Sequence, residues 1–127
     1  MSAALNVIYT PSAPAAIGPY SQASAANGFV YTSGQIAIDP ATGSIGAQGI
    51  EAQTEQVIRN LKAVLKAAGS GLEKVVKTTC FLQSMGDFAA FNAVYEQHFT
   101  GKPARSCVEV NKLPKGALVE IEVTAVL

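Results

Sequence analysis

Two runs near the C-terminus hold the residues best suited to chemistry: Pro103-Ala-Arg-Ser-Cys-Val-Glu-Val110 and Leu118-Val-Glu-Ile-Glu-Val-Thr-Ala-Val-Leu127. Arg105 presents a rigid fork of N–H donors that matches a carboxylate at two points. Glu120 carries a carboxylate that can accept a proton or orient a water. Cys107 puts a thiol two residues beyond the guanidinium. The chemistry on offer is to hold an anion and to direct a water.

Both runs are rich in Val and Ile, and a Pro-Lys-Gly connection separates them, so both are predicted strands. Side chains alternate along a strand. Val119, Ile121, Val123, Ala125 and Leu127 therefore share one apolar face, and Leu118, Glu120, Glu122, Thr124 and Val126 share the other. Arg105, Cys107 and Glu109 lie opposite Ala104, Ser106, Val108 and Val110. Periodicity alone favours an exposed, salt-bridged face, because structural ion pairs are common.

The elements that must position these residues are legible upstream. Asn6 to Thr10 is a short strand closed by Pro11, and Ser12 to Pro19 is a Pro/Gly-rich loop. Tyr20 follows as an aromatic anchor with a wet hydroxyl. Asn27-Gly28 between two strand-like runs is a strong hairpin signal, since both residues tolerate positive φ. Gly34, after Ser33, marks a bulge or a close approach to a ligand, and by itself reads as a plain bulge. Asp39 to Gly43 is a turn.

Gly49 to Ala68 has the 3.6-residue period of an amphipathic helix, with acids early, lysines late and Gly69 as a stop. Val75 to Leu82 is a strand whose Cys80 is a small core hydrophobe. Asp87 suits the N-cap of a second helix, Phe88 to Phe99, with Phe88, Phe91, Tyr95 and Phe99 as its buried stripe. Asn92 sits on that stripe, where an Asn is usually a hydrogen-bonded structural residue. His98, the single histidine, suits the helix C-terminus as a cation and has no partner in the local sequence.

The order strand, hairpin, helix, strand, helix, strand, strand predicts an α+β fold. One mostly antiparallel or mixed six-stranded sheet carries two helices on one face. The face of Val119, Ile121 and Val123 meets the helices. The opposite face still needs cover.

The chain of 127 residues is of single-domain length, 1–127, with nine basic and nine acidic residues and 14% charged residues against 49% apolar. That balance argues against nucleic acid and against an anionic membrane surface. So little charge also implies burial against further copies. Cys80 and Cys107, without a CxxC or a histidine cluster, fit a reduced intracellular protein. No secretory leader pattern and no run of membrane-spanning length is visible, so the expected location is the cytoplasm. Without a Gly-rich phosphate loop, a metal-ligand cluster or a Ser/His/Asp spacing, no cofactor and no metal is expected.

Pro103-Ala104-Arg105-Ser106-Cys107-Val108 followed by Val119-Glu120-Ile121 resembles the C-terminal signature of the Rid (RidA/YjgF) family of enamine and imine deaminases. Gly18-Pro-Tyr-Ser-Gln-Ala23, the Ser33-Gly34 pair and Phe91-Asn92 with Val94-Tyr95 are similar to further motifs of that family. The resemblance spans Gly18 to the C-terminus. It implies a chorismate-mutase-like (YjgF-like) fold and a homotrimer whose sheets face inward, with a ligand cleft at each subunit boundary. It implies substrate-binding roles for Tyr20, Ser33, Gly34 and Asn92 beside Arg105. It also implies the substrate: 2-aminoacrylate and related 2-imino acids released by pyridoxal-phosphate enzymes, hydrolysed to 2-oxo acids and ammonia.

In that reaction Arg105 holds the substrate carboxylate, Glu120 orients the attacking water and shuttles its proton, and Cys107 shapes the water site through its backbone carbonyl or its thiol. Two other classes stay open. One is a non-catalytic 2-oxo acid sensor using the same clamp. The other is a ribonuclease or translation inhibitor, which a neutral chain without a basic-aromatic stripe disfavours. A chorismate mutase would rest on fold alone.

Overall fold

The computed structural model describes residues 4–127. Eight strands and two helices follow in chain order: β1 Asn6–Ile8, β2 Ala23–Ala26, β3 Phe29–Thr32, β4 Ile38–Asp39, β5 Ser44–Ile45, α1 Gly49–Ala67, β6 Val75–Leu82, α2 Phe88–His98, β7 Ala104–Glu109 and β8 Val119–Val126. Six strands form one sheet in the order β1-β2-β3-β8-β6-β7. Only β6 and β7 run parallel, joined through α2, and every other pair is antiparallel. This is the expected mixed sheet with two helices.

Local chemistry explains most of the boundaries. Asn27 and Gly28 take φ of 53° and 83° at the tip of the β2–β3 hairpin, as a two-residue hairpin turn requires. α1 ends where Gly69 adopts φ 84°. Gly69 N–H then donates to the Lys66 carbonyl and Ser70 N–H to the Leu65 carbonyl, the paired bonds of a Schellman stop. Asp87 stands at the start of α2 but makes no capping hydrogen bond. A 3-10 turn, Met85–Asp87, precedes the helix, and Ser84 accepts from Gly86 N–H within it.

The helices cover one face of the sheet. Val119, Ile121, Val123 and Ala125 of β8, Cys80 and Leu82 of β6, and Ile58, Leu61, Val64 and Leu65 of α1 are all buried. Each large apolar side chain removed from water there contributes about 1.5–3 kcal/mol. Asn60 is 1% exposed and donates to the Ile36 and Ile38 carbonyls, fastening the β4 segment to α1. Cys80 lies in this core, and burial pushes its thiol up to about 12, so it is the inert hydrophobe its neighbours predict.

The other face is uncovered. Cross-strand register places Val7, Ser24, Tyr31 and Thr124 in one row and Glu120, Phe81 and Val108 in another. Val7 and Tyr31 are 64% and 48% exposed.

Candidate functional site

The residues singled out from the sequence fall into two groups on opposite faces of the sheet. Arg105 is the register partner of Thr78, which pairs with Val123. Arg105 and Cys107 therefore lie on the helix-covered face. Glu120 pairs with Phe81 and lies on the uncovered face, two strands away. One chain therefore does not bring Arg105 and Glu120 together: alternation is legible in each strand, but the pairing puts the two patterns out of phase.

The first group sits at the β7 edge, under α2. Arg105 Nη1 donates to Asn92 Oδ1 at 2.7 Å. The guanidinium carbon lies 4.8 Å from the Tyr95 ring centre and 5.6 Å from that of Phe88, so two aromatic faces hold the cation. Tyr95 is fixed in turn by a 2.8 Å hydrogen bond between its hydroxyl and that of Thr78. Its phenol is pushed up, chiefly by burial. Cys107 is half-buried beside this cluster. Burial raises its thiol while the Arg105 charge opposes the rise, so the thiol form predominates and a thiolate nucleophile is disfavoured.

Among the described residues Arg105 has no carboxylate partner. Glu109, next on the same face, accepts from Met85 N–H at 2.8 Å instead. A permanently charged fork, oriented by an amide and two rings, is left with donors to spare. Asn92 is thus the residue that aims Arg105.

The second group surrounds Glu120. Tyr20, Gly34, Pro114 and Glu120 line a cavity of about 70 Å³ walled by Ile17, Ile36 and Ile38, room for more than one water. The Glu120 carboxyl has no hydrogen-bond partner among the described residues. Burial, and then the charge of Glu122 on the same strand face, raise it above the usual carboxylate range. A carboxyl so perturbed inside a cleft is a candidate for proton transfer.

Gly34 explains how the carboxyl fits. A Cβ there would collide with the Glu120 carboxylate and sit 2.8 Å from its Cδ, so this glycine makes room for the carboxyl. Ser33 lies at the cavity's outer mouth with Tyr20, and its hydroxyl donates to the Ser21 carbonyl. The Tyr20 hydroxyl accepts from Ile17 N–H at 3.2 Å, which folds the loop over the cavity.

Sequence reasoning missed three contributors. Gln22, 3% exposed, accepts from Thr10 N–H and donates to the Thr10, Ala13 and Pro14 carbonyls, so it holds the loop that makes one cavity wall. Its one signal was its place in the Gly18-to-Ala23 motif, just before β2. Pro114 and Ile17 enter from segments with no periodicity, and nothing local marks them. His98 stands apart from both groups, with its Nε2 3.1 Å from Glu55 of α1. Among the described residues no group of His, Cys, Asp and Glu could hold a metal ion, and no helix is long and apolar enough to cross a membrane.

Comparison with known proteins adds the following. The model of the Endoribonuclease L-PSP family matches residues 10–127. A RutC family protein of Synechocystis is 58% identical over 126 residues, 97% of each chain. A Salmonella typhimurium protein named 2-iminobutanoate/2-iminopropanoate deaminase is 50% identical over 125 residues, 95% of this chain and 97% of its own. A solved structure of a Rid-family protein from Yersinia pestis matches with a TM-score of 0.94 at 52% identity, covering 98% of this chain and 100% of the other.

Proposed function

The chain belongs to the Endoribonuclease L-PSP (RutC/Rid) family, and from that premise we propose that it hydrolyses 2-aminoacrylate and related 2-imino acids. The observation that carries this reading is the Arg105 fork: oriented by Asn92, stacked on Tyr95 and Phe88, and without a carboxylate partner among the described residues. Such a fork suits the carboxylate of a small acid. The relative named for imine deamination supports the same substrate class.

Arg105 and Glu120 occupy opposite faces, so a site with both needs two copies of the chain. We place the β7 edge of one copy against the Glu120 cavity of the next. This would cover the sheet face that carries Val7, Tyr31 and Val108, and the family resemblance implies three copies in a ring. Each boundary would then join Arg105, Asn92 and Cys107 of one copy to Tyr20, Ser33, Gly34 and Glu120 of another.

The reaction follows from these parts. Arg105 fixes the substrate carboxylate in a fork, a charge-assisted bond of about 1.5–3 kcal/mol. This sets the imine carbon against a water beside Glu120. Glu120 takes a proton from that water as its oxygen bonds to the carbon and the C=N π electrons move to nitrogen. The resulting carbinolamine collapses to a carbonyl when Glu120 returns that proton to nitrogen, ammonia leaves with the C–N electrons, and the hydroxyl proton passes back to Glu120. An enamine enters the same route after its tautomerisation to the imine. The upstream reaction is one that releases such an enamine, as a pyridoxal-phosphate dehydratase does, and removal of the product protects enzymes of that kind.

The test generates 2-imino acids with an amino-acid oxidase and traps what escapes with semicarbazide. Wild type is expected to suppress the trapped product, and Arg105→Ala to lose the effect by about two orders of magnitude or more. Trapping unchanged by wild type across several side chains would sink the enzyme. Binding of 2-oxo acids without turnover would then favour a sensor built on the same fork.

A further inference from the structure

We propose that a second site, on the outer side of α1, binds the phosphate chain of a nucleoside triphosphate or a like linear polyphosphate. Arg59, Lys62 and Lys66 line one wall of a groove of about 690 Å³, Thr10 and Ser12 the other, and Ala63 and Ala67 the floor. Among the described residues no acidic side chain lines it. Three of the nine basic residues of a chain with no net charge are therefore gathered in one trough.

The usual reason for such a cluster is a solvated helix face with interleaved acids. This face departs from that arrangement. Glu55, one turn before Arg59 and the acid placed to neutralise it, is held by His98. Arg59 turns to the neutral Gln56, donating to its side-chain oxygen at 3.0 Å. Among the described residues neither Lys62 nor Lys66 has an acidic partner within salt-bridge distance.

The opposite wall is rigid. Buried Gln22 bonds both the N–H and the carbonyl of Thr10, and the Thr10 hydroxyl accepts from Ser12 N–H. The Thr10 hydroxyl proton and the Ser12 hydroxyl are left to donate into the groove. Alanines on the floor let an anion approach the helix. From Arg59 to Lys66 the helix rises about 10 Å, close to the reach of a triphosphate chain. The groove lies on the helix side of the sheet, so covering the open sheet face with further copies would leave it accessible. The inference does not depend on the imine reaction.

Titration calorimetry at low salt tests it with sodium tripolyphosphate, ATP and a single-stranded oligonucleotide as probes. Tripolyphosphate and ATP are expected to bind with a Kd below about 1 mM, a modest affinity by the usual scale. Lys62→Gln with Lys66→Gln is expected to weaken binding by about tenfold or more and to flatten its salt dependence, while a remote charge-matched pair, Lys74→Gln with Lys112→Gln, changes it by less than about twofold. Thr10→Val is expected to cost a smaller factor, and far-ultraviolet circular dichroism verifies that each variant is folded. No saturable binding of tripolyphosphate or ATP overturns the proposal, as does an equal loss from the remote pair. Binding of the oligonucleotide alone also overturns it, since the groove would then read a polynucleotide backbone.

Discussion

The Arg105 edge and the Glu120 cavity handle charge in opposite ways. Arg105 is gripped: an amide oxygen at 2.7 Å and two aromatic rings leave its fork little freedom. Glu120 is left ungripped, with no hydrogen-bond partner among the described residues and with Gly34 leaving room in front of it. Geometry is what matters for a group that binds, and arginine stays charged whatever surrounds it. A group that moves a proton needs a pKa between its extremes, which hydrogen bonds to the carboxylate would destroy by lowering it. Holding tightly at one pole and withholding partners at the other is what the proposed roles of clamp and base require of one small sheet.

The sharpest way to break this division is to separate the poles onto different chains. Arg105→Ala and Glu120→Ala should each be nearly inactive alone. If the two poles meet across copies, mixing the variants after mild dissociation should restore roughly a quarter of the wild-type sites, by random assembly around a closed ring. Recovery of no activity, with the mixed assembly verified by native mass spectrometry, would place both poles in one chain and break the proposed arrangement.

A smaller effect is expected at Gly34. Gly34→Ala drives a methyl into the Glu120 carboxylate. Activity should fall by about ten- to a hundredfold, through kcat more than KM, if the displaced group orients water and does not hold the substrate, as proposed. Equal losses in both constants would mean that Glu120 also binds.

The smallest effect concerns pH. Burial and Glu122 raise the Glu120 carboxyl, so its base form is lost at a higher pH than for an ordinary carboxylate. Activity should therefore fall with acidification above the usual glutamate range. Glu122→Gln removes the second cause and should move that limb toward lower pH, with the plateau rate changed by less than about twofold. A limb that stays in place, measured as kcat/KM against pH, would assign it to another group.

Much of this architecture is legible in local chemistry. α1 announces itself by its apolar period and Gly69 stop, and the β2–β3 hairpin by Asn27-Gly28. The apolar face of β8 is plain from alternation. Asp87 illustrates a partial success: the helix begins beside it, yet a 3-10 turn supplies the local bonds. The β4–β5 hairpin, with two residues in each strand, is too short to show a period, although its Asp39–Gly43 turn is visible. His98 found its partner 43 positions away in Glu55, which no local pattern could indicate.

The sequence by itself determined which side chains share a face within each strand, because successive residues of an extended chain point to opposite sides. It also determined where the helices and the main hairpin begin and end, through period, glycine and turn chemistry. Only the tertiary structure decided how those faces align between strands. Arg105 opposite Thr78, and Glu120 opposite Phe81, is a matter of strand order and register, and a shift of one residue would reverse it. That register is set by burying Cys80, Leu82, Val119 and Ile121 together under the helices. The core, chosen for packing, is what sends Arg105 and Glu120 to opposite sides of the sheet.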